Sequence, residues 1–222
     1  MIPLNTIRGA HNCLLCSVVQ GRERAAKDEL SLLLSRFLEL TDTPTNSETT
    51  SKSLSTQLYL ELEEMRKNKT PQSLREISLD TNCLSAYLLP SDVSANDLAN
   101  FGTSQVSSGD LIFRFLQRTL PIQFVCHAND FSNLGVQFIS TQLKTLFDGS
   151  RPMSYRIDFK QRLCKNLNRS DLFSEIDKVI PPGLFVDLSK GQVVIIIEGV
   201  KNVLFLSVVM ASNSKRFSLV SS

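Results

Sequence analysis

Positively charged side chains are concentrated in one stretch of the sequence, between positions 151 and 169. This stretch holds six Lys or Arg residues against a single acid, Asp158. The six cations are Arg151, Arg156, Lys160, Arg162, Lys165 and Arg169. Phosphate groups bind well where such cations meet the backbone amides of a helix N-terminus, so the stretch suggests a phosphate-binding surface. A solvated charged face explains the charge alone about equally well.

The direction of these side chains depends on the secondary structure that carries them. Apolar residues at 155, 157 and 159 alternate with polar ones, which predicts a half-buried strand over Tyr155–Arg162. Asn168 is suited to cap a helix that follows, and Pro181 and Pro182 would end that helix because proline lacks an amide hydrogen. The sequence therefore predicts a basic strand, a basic loop and a helix N-terminus in succession.

The remaining second half predicts further sheet and one long helix. Val193–Ile197 is a run of β-branched residues, which is typical of a strand covered on both faces. A turn over 199–202 and a strand over Val203–Met210 follow, and Asp130–Phe147 has the apolar spacing of a helix. Leu111–Leu120 remains open between a helix and a strand that leads to Pro121.

The first half predicts a separate α+β unit. Strands are expected over Asn12–Val19 and Cys83–Leu89, and helices over Arg22–Leu38 and Ser91–Phe101. We interpret 41–57 as a flexible Ser/Thr-rich insertion and 58–67 as a helix. Residues 103–109 are polar and predict a loop. The expected fold class is α+β, with an N-terminal ferredoxin-like domain over 1–102 and an α/β domain over 103–222.

The composition limits the classes of protein that the chain can belong to. It has 222 residues, 42% hydrophobic, with a net charge of +2. Residues 1–100 hold 10 Lys/Arg and 13 Asp/Glu, whereas residues 101–222 hold 14 and 9, so the second half is basic. No apolar run reaches the ~18 residues of a membrane span. Five cysteines at irregular spacing and no secretory signal favour free thiols, and we expect an intracellular protein in the nucleus, nucleolus or cytoplasm.

The sequence has no recognisable motif for catalysis or metal binding. Cys13 and Cys16 would form half of a zinc site, but no second Cys/His pair has the required spacing, so core thiols are favoured. The two histidines, His11 and His127, lack a nucleophile motif, and no glycine pattern suits a nucleotide. For Glu198, an ion pair or a cap is favoured over catalysis. We therefore expect no metal, no cofactor and no enzymatic activity.

The second half resembles the THUMP domain, and the whole chain resembles the eukaryotic tRNA acetylation adaptors. The residues that carry the resemblance are Phe115–Ile122, Cys126–Ala128, Tyr155–Arg162, Asn168–Asp171, Val186–Leu188, Val194–Glu198, Leu206–Val209 and Lys215–Leu219, with Leu14–Val19 and Gly21–Glu23 in the first half. The similarity covers most of 12–220 except 41–69. It implies a ferredoxin-like domain followed by a THUMP domain.

The resemblance also implies a function. Proteins of this family accompany the RNA cytidine acetyltransferase, which makes N4-acetylcytidine in serine and leucine tRNAs, and THUMP domains hold the tRNA acceptor stem and its 3′ end. We therefore expect a non-catalytic tRNA-binding adaptor that is a monomer on its own and does not bind membranes. The expected RNA-binding residues are Arg156, Lys160, Arg162, Lys165 and Arg169, followed by Arg114, Arg118, Lys215 and Arg216.

Three alternatives stay open. The chain could be a THUMP-type RNA-binding subunit of a different tRNA-modifying enzyme. It could be a protein-binding scaffold, with its acidic first half facing an enzyme. It could also be a stand-alone hydrolase or transferase with an unrecognised cleft, although no nucleophile–base motif supports this.

Overall fold

The computed structural model describes residues 2–41, 74–164, 167–211 and 217–220. The strands in these ranges are β1 Ile2–Pro3, β2 Gly9–Val18, β3 Arg75–Ser78, β4 Leu84–Leu88, β5 Leu116–His127, β6 Met153–Arg162, β7 Leu184–Val186, β8 Val193–Val200 and β9 Val203–Met210. The α-helices are α1 Glu23–Thr41, α2 Ala95–Ser108, α3 Val136–Leu146 and α4 Arg169–Asp177. All nine strands join in one sheet, in the order β1-β3-β4-β2-β5-β9-β8-β6-β7. The predicted α+β class is confirmed.

The first half has the ferredoxin-like arrangement that the sequence predicts. Its elements follow one another as β2, α1, β3, β4, α2 and β5, and its strands lie in the order β3-β4-β2-β5 with antiparallel neighbours. The fourth strand of this unit, β5, lies beyond residue 102. The predicted boundary at 102 falls within α2, and the division into two domains stays a prediction.

The loop predicted over 103–109 is wrong, because α2 continues through Ser108 and ends at Gly109 in the left-handed conformation. The side-chain hydroxyls in this stretch donate to helix carbonyls instead of leaving the helix. Thr103 donates to the carbonyl of Ala99, and Ser107 donates to that of Thr103. Hydroxyl groups that bond back to the preceding turn let a polar sequence remain helical.

The β8–β9 hairpin is the buried centre of the second half. Every residue of β8 is buried, so the strand predicted over Val193–Ile197 is confirmed and extends to Val200. One face of the hairpin packs with β6, α3 and α4, and the other face belongs to the core that contains α1 and α2. The strand predicted over Val203–Met210 is confirmed, and the turn is confined to residues 201 and 202.

Strand β6 lies between two parallel neighbours. It pairs with β8 along residues 155–162, and α4 lies between the two strands in the sequence, as predicted. The short strand β7, which the sequence analysis missed, pairs with β6 at residues 153–155 and forms the edge of the sheet. The outer edge of β6 therefore has no strand partner from Arg156 to Arg162 in the described part of the chain.

Three other predictions are settled or corrected. Residues 116–120 are strand, and β5 continues through Pro121 instead of ending there.

The helix predicted from Asp130 begins as a 3-10 turn and a π-helical turn, and α3 starts only at Val136. Gly135 permits the π-turn, because a Cβ there would lie 2.5 Å from the buried Phe131 ring. Helix α4 ends at Asp177, ahead of Ile180, which precedes a proline and disfavours helix.

Some predictions fall outside the described residues. These are the insertion predicted over 41–57 apart from Thr41, the helix over 58–67, and the cations Lys165, Lys215 and Arg216. None of the helices in the described ranges is both long and apolar enough to cross a membrane.

A carboxylate on α1 holds the segment that leads into β5. The two oxygens of Glu29 accept hydrogen bonds from the backbone amides of Arg114, Phe115 and Leu116, with shortest distances of 2.9, 3.1 and 2.8 Å. Three amides that precede a strand would otherwise need water or another acceptor. Glu29 therefore fixes the position at which β5 begins.

Replacing Glu29 by Gln is expected to destabilise the protein by about 1–3 kcal/mol, because the charged acceptor of these amides is lost. Urea unfolding of both proteins measures the difference. Glu39→Gln is the matched control, since Glu39 is exposed on the same helix. Equal unfolding midpoints for the Glu29 and Glu39 variants would contradict this role.

Candidate nucleic-acid interface

The polar side of β6 borders a cleft of about 400 Å³, which we call the basic cleft. Residues from β5, β6, β8, α4 and the C-terminal segment line it. They are Arg118, Ile157, Asp158, Phe159, Lys160, Arg169, Glu198 and Ser218. The cleft thus brings together residues that are up to 100 positions apart in the sequence.

Strand alternation places the charged residues of β6 on one side of the sheet. Arg156, Asp158, Lys160 and Arg162 are two positions apart, so their side chains leave the same face. Lys160 lies directly opposite Glu198 in the parallel register of β6 and β8. The two residues are therefore cross-strand neighbours on the same face of the sheet, on strands about 4.8 Å apart.

Arg118 reaches the same place because β5 curves. Its partner Glu198 lies opposite Phe205, which in turn lies opposite Val125 of β5. Arg118 and Val125 would be about 23 Å apart along a straight strand, which is beyond the reach of one side chain. β5 must therefore bend over β8, as strongly twisted sheets do. Residues 217–219 run beside this part of β5, where Ser218 bridges Arg118.

A buried ion pair forms the floor of the basic cleft. Arg118 Nη1 donates to Glu198 Oε1 at 3.2 Å, and only 14% and 5% of the two side chains are exposed. Burial raises the pKa of the Glu198 carboxyl above its ordinary value, although the charges of Arg118, Lys160 and Arg162 oppose the rise. The ion pair predicted for Glu198 is confirmed.

Two further cations, Lys160 and Arg169, line the cleft without such a partner, and Arg162 leaves the same face of β6 two positions beyond Lys160. No carboxylate lies within 4.0 Å of Lys160, Arg162 or Arg169 among the described residues. Desolvation lowers the pKa of the Lys160 ammonium, and the charge of Arg118 lowers it further. An anion in the cleft would relieve this repulsion. The arrangement therefore suits a phosphate group.

Aromatic rings position Arg169 at the first turn of α4. Its guanidinium lies 4.9 Å from the centre of the Phe173 ring, which in turn meets the Phe159 ring edge-on at 6.1 Å. The predicted cap is confirmed, because the Asn168 side chain accepts from the amide and the hydroxyl of Ser170. That amide is therefore already occupied, and the cations of the cleft provide the attraction for an anion.

Two of the predicted RNA-binding residues lie apart from this group. Arg156 has partners within the protein: its side chain is 13% exposed, lies 3.6 Å from Asp158 and donates to the carbonyl of Gly191. Close packing against this loop explains the burial, because a Cβ on Gly191 would lie 2.7 Å from the Arg156 backbone nitrogen. Arg114 is exposed in the segment before β5 and does not line the cleft.

Other reactive groups in the described residues do not form a site. No cluster of His, Cys, Asp or Glu there could hold a metal ion. Cys13 and Cys16 are buried thiols, and burial raises the pKa of Cys13 to about 12. His127 accepts a hydrogen bond from the amide of Asn129, while Cys126 is buried beside it.

A larger cavity of about 600 Å³ opens near Lys201, which forms an exposed ion pair with Asp80.

Comparisons with known proteins identify no family. No family model matches the chain, and no curated protein matches it. Among solved structures, the THUMP domain of THUMP domain-containing protein 1 is 24% identical and covers 36% of this chain and 84% of its own, with a TM-score of 0.31.

Two longer structures share less of the sequence. A 4-thiouridine synthetase in complex with RNA and ATP is 13% identical over 90% of this chain and 42% of its own, with a TM-score of 0.43. TrmN from Thermus thermophilus is 11% identical over 94% and 47%, with a TM-score of 0.44. The present chain thus spans less than half of either protein. Similarities at this level do not establish membership of a family.

Replacing Arg118 by Met is expected to destabilise the protein by about 3–5 kcal/mol at pH 7.5, because Glu198 is left as an unpaired buried charge. Burial raises the pKa of Glu198 in the folded protein, and removal of Arg118 raises it further. The cost is full above that pKa and shrinks as the pH falls from it towards the lower carboxyl pKa of the unfolded chain, since the folded carboxyl takes up a proton first. Denaturant unfolding at pH 7.5 and pH 5 measures the difference.

The control for this prediction is the double variant Arg118→Met/Glu198→Gln, which has no carboxylate to titrate. Its free energy of unfolding, relative to the wild type, should change much less between the two pH values. A cost of Arg118→Met that is the same at both pH values would contradict the account of the ion pair.

Proposed function

We propose that this chain is an RNA-binding protein that holds tRNA against the basic cleft. The observation that carries the proposal is that Lys160 and Arg169 line one cleft, with Arg162 on the same face of β6, and that none of the three has a carboxylate within 4.0 Å in the described ranges. Cations that are not neutralised internally remain available for phosphate oxygens. The sequence resemblance to THUMP proteins supports tRNA as the polyanion.

Contacts of this kind position an RNA without reading its sequence. Lys and Arg bind phosphate oxygens that every nucleotide carries, so they fix register and orientation. RNA is otherwise recognised through its shape, its single-stranded ends and its 2′-hydroxyls. We therefore expect the cleft to bind different tRNAs with similar strength.

We further infer a non-catalytic role beside an RNA cytidine acetyltransferase. The resemblance to the tRNA acetylation adaptors supports this partner and supports serine and leucine tRNAs as the RNAs presented. The contribution to the rate would be proximity, since a held substrate meets the catalyst more often than a free one.

The alternative functions predict different combinations of tRNA binding and enhanced acetylation. As a subunit of another tRNA-modifying enzyme, the chain would bind tRNA equally well but would not raise acetylation. As a protein-binding scaffold, it would bind the enzyme without binding tRNA. Measurements of tRNA affinity and of acetylation therefore distinguish these cases.

Affinity for tRNA is expected to fall steeply with salt. Neutralisation of about three to four phosphates gives a slope of log K against log salt of roughly −2 to −4. Changing Lys160→Ala together with Arg169→Ala should weaken binding on the order of 10- to 50-fold at 0.1 M salt and reduce the slope by roughly 1.5–2. Fluorescence anisotropy with labelled tRNA at several salt concentrations measures both.

The matched control replaces Arg24 and Arg75 by Ala, since both are exposed cations of the first half. It removes the same charge but should leave the affinity within about twofold of the wild type. Equal losses in the two double variants would mean that net charge, and not the cleft, governs binding.

The adaptor role is tested by reconstitution from purified components. The chain with tRNA and acetyl-CoA alone should form no N4-acetylcytidine. Adding it to the acetyltransferase should raise acetylation of serine and leucine tRNAs, and the Lys160→Ala/Arg169→Ala variant should raise it less. Quantifying the modified nucleoside by mass spectrometry decides the matter. Acetylation by the chain alone, or no effect on the enzyme, would overturn this role.

A further inference from the structure

The basic cleft contains a buried acid that a simple phosphate site would avoid. Glu198 lines the cleft beside Lys160, yet a carboxylate repels phosphate. It is also costly to bury, which is why its pKa is raised. An ionised carboxylate can only accept hydrogen bonds, so it favours a ligand that brings a donor to the same place.

The orientation of Glu198 leaves one of its oxygens for a ligand. Oε1 accepts from Arg118 at 3.2 Å, and no donor to Oε2 is present among the described residues. The other acid of the cleft, Asp158, lies 3.6 Å from the Nε of Arg156 instead. Arg118 thus favours the ionised form of the Glu198 carboxylate and holds it in place, while its second oxygen has no donor among the described residues.

RNA supplies the missing donor through its ribose. A phosphate at Lys160 and Arg169 places the neighbouring sugar next to Glu198, because Lys160 and Glu198 are cross-strand neighbours. We propose that Glu198 is a specificity-determining residue, whose carboxylate accepts a hydrogen bond from a ribose 2′-hydroxyl and thereby favours RNA over DNA. This inference rests on the proposed RNA-binding function and assigns the part of the nucleotide that the cleft distinguishes.

The protein is expected to bind RNA more tightly than DNA, because DNA lacks the 2′-hydroxyl. A deoxyribose presents a C–H group to Glu198, so a buried acceptor loses water without gaining a partner. An unmet buried acceptor of this kind reduces affinity on the order of tenfold. A 2′-fluoro ribose gives the same loss, because fluorine cannot donate a hydrogen bond.

The test compares single-stranded oligonucleotides of one sequence with 2′-hydroxyl, 2′-deoxy or 2′-fluoro sugars. The variant is Arg118→Met/Glu198→Met, which removes the ion pair without changing the net charge of the cleft. Replacing both members of a buried pair by apolar residues usually leaves a protein folded, and thermal unfolding checks this here. Lys27→Met/Glu76→Met is the matched control, since that pair lies on the surface of the first half.

The wild-type protein should bind the 2′-hydroxyl strand about tenfold more tightly than the other two. The Arg118→Met/Glu198→Met variant should bind all three within about twofold, and the Lys27→Met/Glu76→Met control should keep the wild-type preference. Equal affinity of the wild type for the three strands, a preference kept by the cleft variant, or a preference that follows base identity would overturn the inference. If the wild type bound no strand and no tRNA, the proposed function itself would fail.

Discussion

The buried ion pair between Arg118 and Glu198 is the interaction on which the rest of the cleft depends. It joins β5 to β8 across the curve of the sheet, where backbone pairing does not connect them. A pair of this kind adds little net stability, but the loss of one member leaves an uncompensated charge. The two residues therefore constrain how far β5 bends, and that bend forms one wall of the cleft.

The second constraint is the burial of the β8–β9 hairpin on both faces. One face belongs to the core around β6, α3 and α4, and the other belongs to the core of the first half. Glu198 sits where this apolar strand reaches the cleft, next to Lys160 on β6. Lys160 is thus attached to a strand that pairs with buried β8, and Arg169 is held against Phe173 of α4, which suits both cations to hold a polyanion in one orientation.

Local patterns in the sequence predicted the local structure well. The alternation in β6, the β-branched run in β8 and the cap at Asn168 each depend on neighbouring residues, and the structure confirms them. Long-range contacts were not predictable in this way. The partner of Glu198 is 80 positions away, and the burial of Arg156 results from a loop that packs against it.

Mistakes in the prediction have specific physical causes. The polar composition of the end of α2 predicts a loop, because composition does not reveal that its hydroxyls bond back to the helix. The stretch before Pro121 stayed open between helix and strand, because its apolar residues suit either structure; pairing with β2 decides for the strand. The cations between 151 and 169 predicted a single basic surface, but Arg156 contacts Asp158 and the carbonyl of Gly191 and does not line the cleft.

The central claim is that RNA occupies the basic cleft, and the reactivity of Lys160 towards an amine-specific acylating reagent tests it most directly. Mass spectrometry can follow Lys160 and Lys144 in the same sample, since Lys144 is exposed on α3 away from the cleft. With saturating tRNA, modification of Lys160 should slow several-fold while that of Lys144 is unchanged. If Lys160 reacted equally fast with and without tRNA, under conditions where tRNA is bound, the RNA would lie elsewhere and the account would be wrong.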